Sequence, residues 1–116
     1  MDNVFGQRVR ERRLALKGDQ YSLRQVAKAV DVTPSFLSKV ERGDLPPPSE
    51  ATIQKLAEVL GLNPDVMLAL AGKVSSDLKE VILRRPELVA DLIRQVKNAP
   101  NEAVLRIVRE VRQLAG

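Results

Sequence analysis

The chain has 116 residues, enough for one domain or a small domain with an appendage. Its apolar residues are chiefly Val, Leu, Ile and Ala, with aromatics at 3%, so the core is aliphatic and nothing offers a platform for stacking unpaired bases. Cysteine and histidine are absent, which excludes disulfides, Cys/His metal sites, imidazole general bases and thiol nucleophiles. The net charge of +4 is unevenly spread, with nine Lys/Arg against five Asp/Glu in residues 1–42, one against four in 43–72, and nine against six in 73–116; a basic excess of this kind favours a polyanionic partner.

Residues 4–17, VFGQRVRERRLALK, have the period of an amphipathic helix with Phe5, Val9 and Leu16 inward and Arg8, Arg10, Arg12 and Arg13 on the other faces. Gly18-Asp19-Gln20 reads as a turn, and Tyr21 stands where a hydrophobic staple residue would precede a cap. Ser22 with Gln25 three residues on has capping-box spacing and opens a second helix whose apolar face is Val26, Ala27 and Val30. Thr33-Pro34 opens a third, pairing a capping hydroxyl with a proline whose missing N–H is harmless at the first helical position. Its inward residues are Leu37 and Val40, leaving Ser35, Ser38 and Lys39 to project outward. Two short helices across so tight a break as Val30-Asp31-Val32 must cross steeply, which is the geometry of a helix-turn-helix.

Asp44-Leu45-Pro46-Pro47-Pro48 is a stiff extended connector. Ser49 caps a fourth helix with Ile53, Leu56, Ala57 and Leu60 in one stripe and Gly61 as terminator, and Asn63-Pro64 opens a fifth that ends before Gly72 with Met67 and Leu68 in the core. Three further amphipathic helices follow at 76–85, 86–97 and 100–114, punctuated by Pro86 and Pro100. The last carries Val104, Leu105, Ile107, Val108, Val111 and Leu114 around more than half of its circumference, wider than packing against one neighbour needs. Such a helix is expected to bury its apolar surface twice, against its own domain and against another copy, which makes Val104, Ile107, Val108, Val111 and Leu114 the candidate dimerisation set. No apolar run approaches 18 residues and no signal peptide opens the chain, so a soluble, cytoplasmic protein with no membrane, metal or cofactor is expected.

The combination of Gly6-x-x-Val9-Arg10-x-x-Arg13, Ser22 through Ala27, Val32 through Gly43, the proline-bearing linker and Lys55-Leu56-Ala57-x-x-Leu60-Gly61 resembles the phage-repressor-like helix-turn-helix family, the Cro/CI or Xre group. The likeness covers residues 4–72. It implies a five-helix DNA-binding domain over residues 1–72. The likeness does not cover the C-terminal region, 73–116, whose amphipathic helices are read from their apolar faces as the dimerisation element; with them the expected fold is all-α. In such domains the third helix lies in the major groove of double-stranded DNA, and its first residues and those one turn on reach base edges. Carried over by position, the DNA-facing set is Arg24, Thr33, Pro34, Ser35, Phe36, Ser38, Lys39 and Arg42. Base reading would fall on Ser35, Ser38 and Lys39, with Lys39 suited to a guanine edge; Phe36 is either a sugar or thymine-methyl contact or a packing residue.

Two positions depart from the family. Pro34 stands where an adenine-reading glutamine is common, and Leu23 where a phosphate-binding glutamine is common, although the backbone N–H at Leu23 would still serve a phosphate. Arg24 and Arg42 are implied phosphate contacts, Asp31 replaces the usual turn glycine, and Arg13 and Glu41 are the implied structural ion pair. The leading expectation is a sequence-specific transcription regulator, a repressor that binds a palindromic operator as a homodimer. The alternative is a DNA-binding antitoxin or adaptor whose C-terminal helices hold a partner protein. An enzyme is not expected, because no motif converges acids or lysines on a nucleophile or a phosphate loop.

Overall fold

The computed structural model describes residues 3–115. Among them are α1 (Val4–Ala15), a 3-10 turn (Asp19–Tyr21), α2 (Leu23–Ala29), α3 (Pro34–Arg42), α4 (Glu50–Leu60), α5 (Pro64–Leu70), α6 (Ser76–Arg84), α7 (Pro86–Val96) and α8 (Asn101–Ala115), with no strand. The protein is all-α, and it divides into two compact units, one ending at Ser75 and the other beginning at Ser76. None of these helices is long and apolar enough to cross a membrane.

In the first unit most helices start on a side chain that accepts a hydrogen bond from an orphan N–H. Ser22 Oγ accepts from Gln25 N (3.2 Å), Thr33 Oγ1 from Phe36 N (3.0 Å), Ser49 Oγ from Thr52 N (3.4 Å), and Asn63 Oδ1 from Asp65 N and Val66 N (2.9 and 3.2 Å). Pro34 and Pro64 each occupy the first turn of their helix, where no N–H is needed. Helix α1 stops two residues earlier than its sequence period suggests: Leu16 is already extended (φ −80°, ψ 140°), and from there it packs against the core together with Tyr21.

The break between α2 and α3 is a Schellman closure. Val32 N donates to Ala27 O (2.9 Å) and Asp31 N to Lys28 O (3.2 Å), which places Asp31 at φ 59°. The left-handed conformation disfavours most L-residues, and aspartate tolerates it better than most. The same closure ends α3 at Gly43, with Asp44 N donating to Lys39 O (2.8 Å).

The core is aliphatic apart from Phe5. Phe5 and Val9 of α1, Val26 and Ala27 of α2 with Val30 of its cap, Leu37 and Val40 of α3, Ile53, Leu56, Ala57 and Leu60 of α4, and Met67 and Leu68 of α5 are all fully buried. Each large side chain contributes about 1.5–3 kcal/mol on burial, so this cluster holds the five helices together.

Three features fix α3 against α1. A Cβ added at Gly6 would lie 2.3 Å from Val40 O, so the two backbones approach as closely as the absent side chain permits. Asn3 bridges both helix ends: its Oδ1 accepts from Gly6 N (3.2 Å) and its Nδ2 donates to Glu41 O (2.9 Å). Glu41, 5% exposed, then takes a two-pronged contact from Arg13, Nε to Oε2 and Nη2 to Oε1 at 2.9 Å each. Those hydrogen bonds and the adjacent negative charge raise the pKa of the guanidinium above its already high value, against the desolvation that lowers it. Separately, Arg12 Nε donates to Leu60 O (2.8 Å), satisfying a carbonyl at the negative end of α4.

In the second unit, α6 and α7 are joined through Arg85 alone and contact one another. No residue in α6, α7 or α8 is buried.

Two substitutions probe the α1–α3 contact. Gly6→Ala improves helix propensity by up to ~1 kcal/mol but drives a methyl into a backbone carbonyl, and overpacking typically costs ~1–3 kcal/mol. We expect a lower melting temperature; an unchanged or higher one would show that the helices separate freely at this point. Glu41→Ala strands the Arg13 charge in a mostly buried setting and should destabilise the unit by about 3–5 kcal/mol in a denaturant titration. A loss below ~1 kcal/mol would show that the pair is solvated rather than structural.

Candidate nucleic-acid interface

With Leu37, Val40 and Glu41 turned into the domain, the opposite face of α3 is set by helical geometry. Ser35, Ser38, Lys39 and Arg42 recur at spacings of three and four, so they share one side, with Thr33 and Pro34 at its N-terminal end. Thr33, Pro34, Ser35, Lys39 and Arg42 are exposed, and Ser38 is half-buried. Phe36 is half-buried and packs against the core, so part of its ring serves the domain. Nine residues make a rod roughly 13 Å long whose outer face carries hydroxyls, an ammonium and a guanidinium. A duplex major groove, about 12 Å wide, admits such a rod.

Asp44, Arg10 and Lys28 lie near this face and were not assigned to it from sequence. Arg42 is engaged within the chain: Nη1 donates to Ser38 Oγ, and Nε pairs with Asp44 Oδ2 at 3.0 Å. Both partners of that ion pair are about half exposed, so the contact is weak and exchangeable. Asp44 lies beyond the end of α3, and only the chain reversal at Gly43 brings it back to Arg42. Arg10 joins Arg13, Leu23, Ser38, Glu41 and Arg42 around a cleft between α1 and the start of α2. Its spacing of three from Arg13 was the available signal, since Arg13 is the residue that reaches α3.

Exposed Arg24 lines a second cleft with Gln25, Lys28, Val32, Thr33 and Pro34, which sets two cations beside the start of α3. Lys28 follows Arg24 by one helical turn, so it too was visible as a spacing. Lys55 reaches Asp31 across the turn at 3.5 Å, an exposed contact of little energetic weight. The hydroxyls, ammonium and guanidinium of this face offer hydrogen bonds and positive charge.

The apolar candidates of α8 lie apart from this face in sequence and in character. Val104 is half-buried, while Ile107, Val108, Val111 and Leu114 are exposed, Leu114 to 89%.

Comparison with known proteins gives this geometry a family. The helix-turn-helix domain family matches residues 4–70, more than half of the chain. A relative from Bacillus subtilis (strain 168), named as the uncharacterized HTH-type transcriptional regulator RghRB, is 35% identical over 77 residues, which cover 66% of this chain and 53% of the relative. The matched segment thus spans about half of that relative's length. No solved structure matches. The closely held α3, its polar outer face and the match over residues 4–70 lead to one conclusion: this chain belongs to the helix-turn-helix domain family.

Proposed function

We propose that the chain is a sequence-specific double-stranded DNA-binding transcription regulator of the Xre group, a cytoplasmic repressor that binds a palindromic operator as a homodimer. The observation that carries this reading is the outer face of α3, where Ser35, Ser38, Lys39 and Arg42 are presented on a helix whose other side is locked to α1. The naming of the Bacillus relative as a transcriptional regulator supports it. Ser35, Ser38 and Lys39 read base edges, and Thr33, Pro34 and Phe36 supply close contacts to the groove wall. Arg24 and Arg42 take phosphates, with Arg42 exchanging Asp44 for the backbone of the duplex. The reading requires no enzymatic step and no cofactor.

Selection of bound duplexes from a random pool tests the proposal as a whole. The expected product is an inverted repeat with half-sites about one helical turn, ~34 Å, apart. An unsymmetrical single site would remove the homodimer, and failure to enrich any sequence would remove base-specific reading.

The apolar faces of α6 to α8 also favour a second reading, an antitoxin or adaptor in which those helices hold a different protein. Sedimentation separates the two: a stable dimer supports the first, and a monomer or an aggregating chain the second.

Two variants separate specificity from affinity. Lys39→Ala should weaken the selected operator by ~1–3 kcal/mol and relax preference at one base position. A uniform loss over all sequences would reassign Lys39 to a phosphate. Arg24→Ala should weaken every site alike and reduce the salt slope by about 0.9; an unaltered slope would remove Arg24 from the backbone contacts.

A further inference from the structure

Ser38 is tied into a short chain of hydrogen bonds whose direction is fixed by chemistry. A guanidinium only donates, whereas a hydroxyl holds one hydrogen and two acceptor lone pairs. The contact from Arg42 Nη1 therefore makes Ser38 Oγ the acceptor. Nε of the same guanidinium pairs with Asp44 Oδ2 at 3.0 Å, which orients the group. Ser38 stands one helical turn before Arg42, and the reversal at Gly43 brings Asp44 within reach of it. Ser38 also lines the cleft it shares with Arg10, Arg13 and Arg42, in which Glu41 is already engaged by Arg13. The Ser38 oxygen thus sits among cations.

With a cation on one lone pair, that oxygen is a poorer acceptor for a second donor and its O–H a stronger donor, because chains of hydrogen bonds polarise one another. A serine inside a helix can instead donate to the carbonyl four residues back, and among the described residues Ser38 makes no such bond. Its proton is left for the outer face of α3, where Ser38 lies half-buried beside Ser35, Lys39 and Arg42. In the free chain the Arg42 and Asp44 side chains are about half exposed, so water competes for these contacts. A duplex laid on the face withdraws that water and strengthens a charge-assisted bond. A phosphate that displaces Asp44 from Nε leaves Nη1 on Ser38, because the guanidinium presents separate N–H donors to each.

We propose that Arg42 is a positioning residue for base recognition: it holds Ser38 as a hydrogen-bond donor, so that Ser38 tolerates guanine, adenine or thymine at its base position and rejects cytosine. This deepens the reading of Ser38 as a base contact and rests on it. The base edges decide the classes. In the major groove guanine presents N7 and O6, adenine N7 and thymine O4, all acceptors, whereas cytosine presents its N4 amino donor. A serine free to turn serves either kind of edge, and one held by a guanidinium serves only the first. One net hydrogen bond is worth roughly three- to tenfold in affinity, which sets the scale of the discrimination. Arg42 then has two separable effects on binding: charge toward the phosphates, felt at every site, and the orientation of one hydroxyl, felt at one base pair.

Competitive binding of the full chain to a mixed pool of duplexes, read position by position, tests this with Ser38→Ala, Arg42→Ala and the double variant. Ser38→Ala should flatten the preference at one position and so locate the contact. There the unaltered chain should disfavour cytosine by roughly three- to tenfold, and Arg42→Ala should bring cytosine to within about twofold of the other bases. The double variant should be no flatter at that position than Ser38→Ala, since Arg42 acts through Ser38. A lost phosphate contact or partial unfolding weakens every duplex alike and leaves these ratios untouched. An Arg42→Ala chain that still rejects cytosine would overturn the proposal and leave Ser38 a base contact, as would an unaltered chain that tolerates cytosine there. A Ser38→Ala chain with no altered position would overturn both the proposal and the assignment of Ser38 beneath it.

Discussion

The contact between α1 and α3 governs the first unit. Dispersion and burial hold it together, since Phe5, Val9, Leu37 and Val40 are sealed from water, but apolar packing alone leaves helices some freedom to slide and roll. The polar contacts remove that freedom. The missing side chain at Gly6 sets the separation, Asn3 ties the start of one helix to the end of the other, and the forked Arg13–Glu41 contact fixes the rotation of α3. A buried ion pair is a poor source of net stability, because desolvation consumes most of its attraction. Its geometry is what matters here: a guanidinium fork accepts a carboxylate in one plane and at one distance. Rotation of α3 by one residue, about 100°, would withdraw Lys39 from the surface, so orientation is the property under strongest constraint.

Helix starts and the buried stripes of α1 to α5 were legible in the sequence because they depend on neighbours in the chain. Ser22, Thr33, Ser49 and Asn63 cap as their spacing suggests, and the apolar residues named for each helix are the buried ones, save Leu16, which packs from outside α1 and is partly covered. The contacts that were not legible join distant residues. Arg12 looked like surface charge because the carbonyl it satisfies lies 48 positions away, and nothing in the sequence singles out Asn3, whose second partner lies 38 away. Asp44 was passed over for a related reason, since only the chain reversal at Gly43 brings it to Arg42, whereas Lys28 and Arg10 stood at helical spacings from Arg24 and Arg13.

The candidate interface itself was legible in outline and not in state. The outward face of α3 follows from which residues the core claims, and those were readable by period. That Arg42 is held by Ser38 and Asp44 was not, because a Schellman reversal had to be in place before residue 44 could meet residue 42. In the second unit the stripes on α6 to α8 were equally clear, yet amphipathicity states only that a face needs covering. No residue of α6, α7 or α8 is buried.

The sparse aromatic content has a practical consequence. Phe5, Tyr21 and Phe36 are the whole aromatic complement, there is no tryptophan, and all three belong to the first unit, where Phe5 is buried and the other two pack on the core. Near-ultraviolet dichroism and tyrosine emission are therefore a private optical channel for the helix-turn-helix unit. Far-ultraviolet dichroism sums both units, so the difference between the two signals isolates the helices after Ser75 without a label or a truncation.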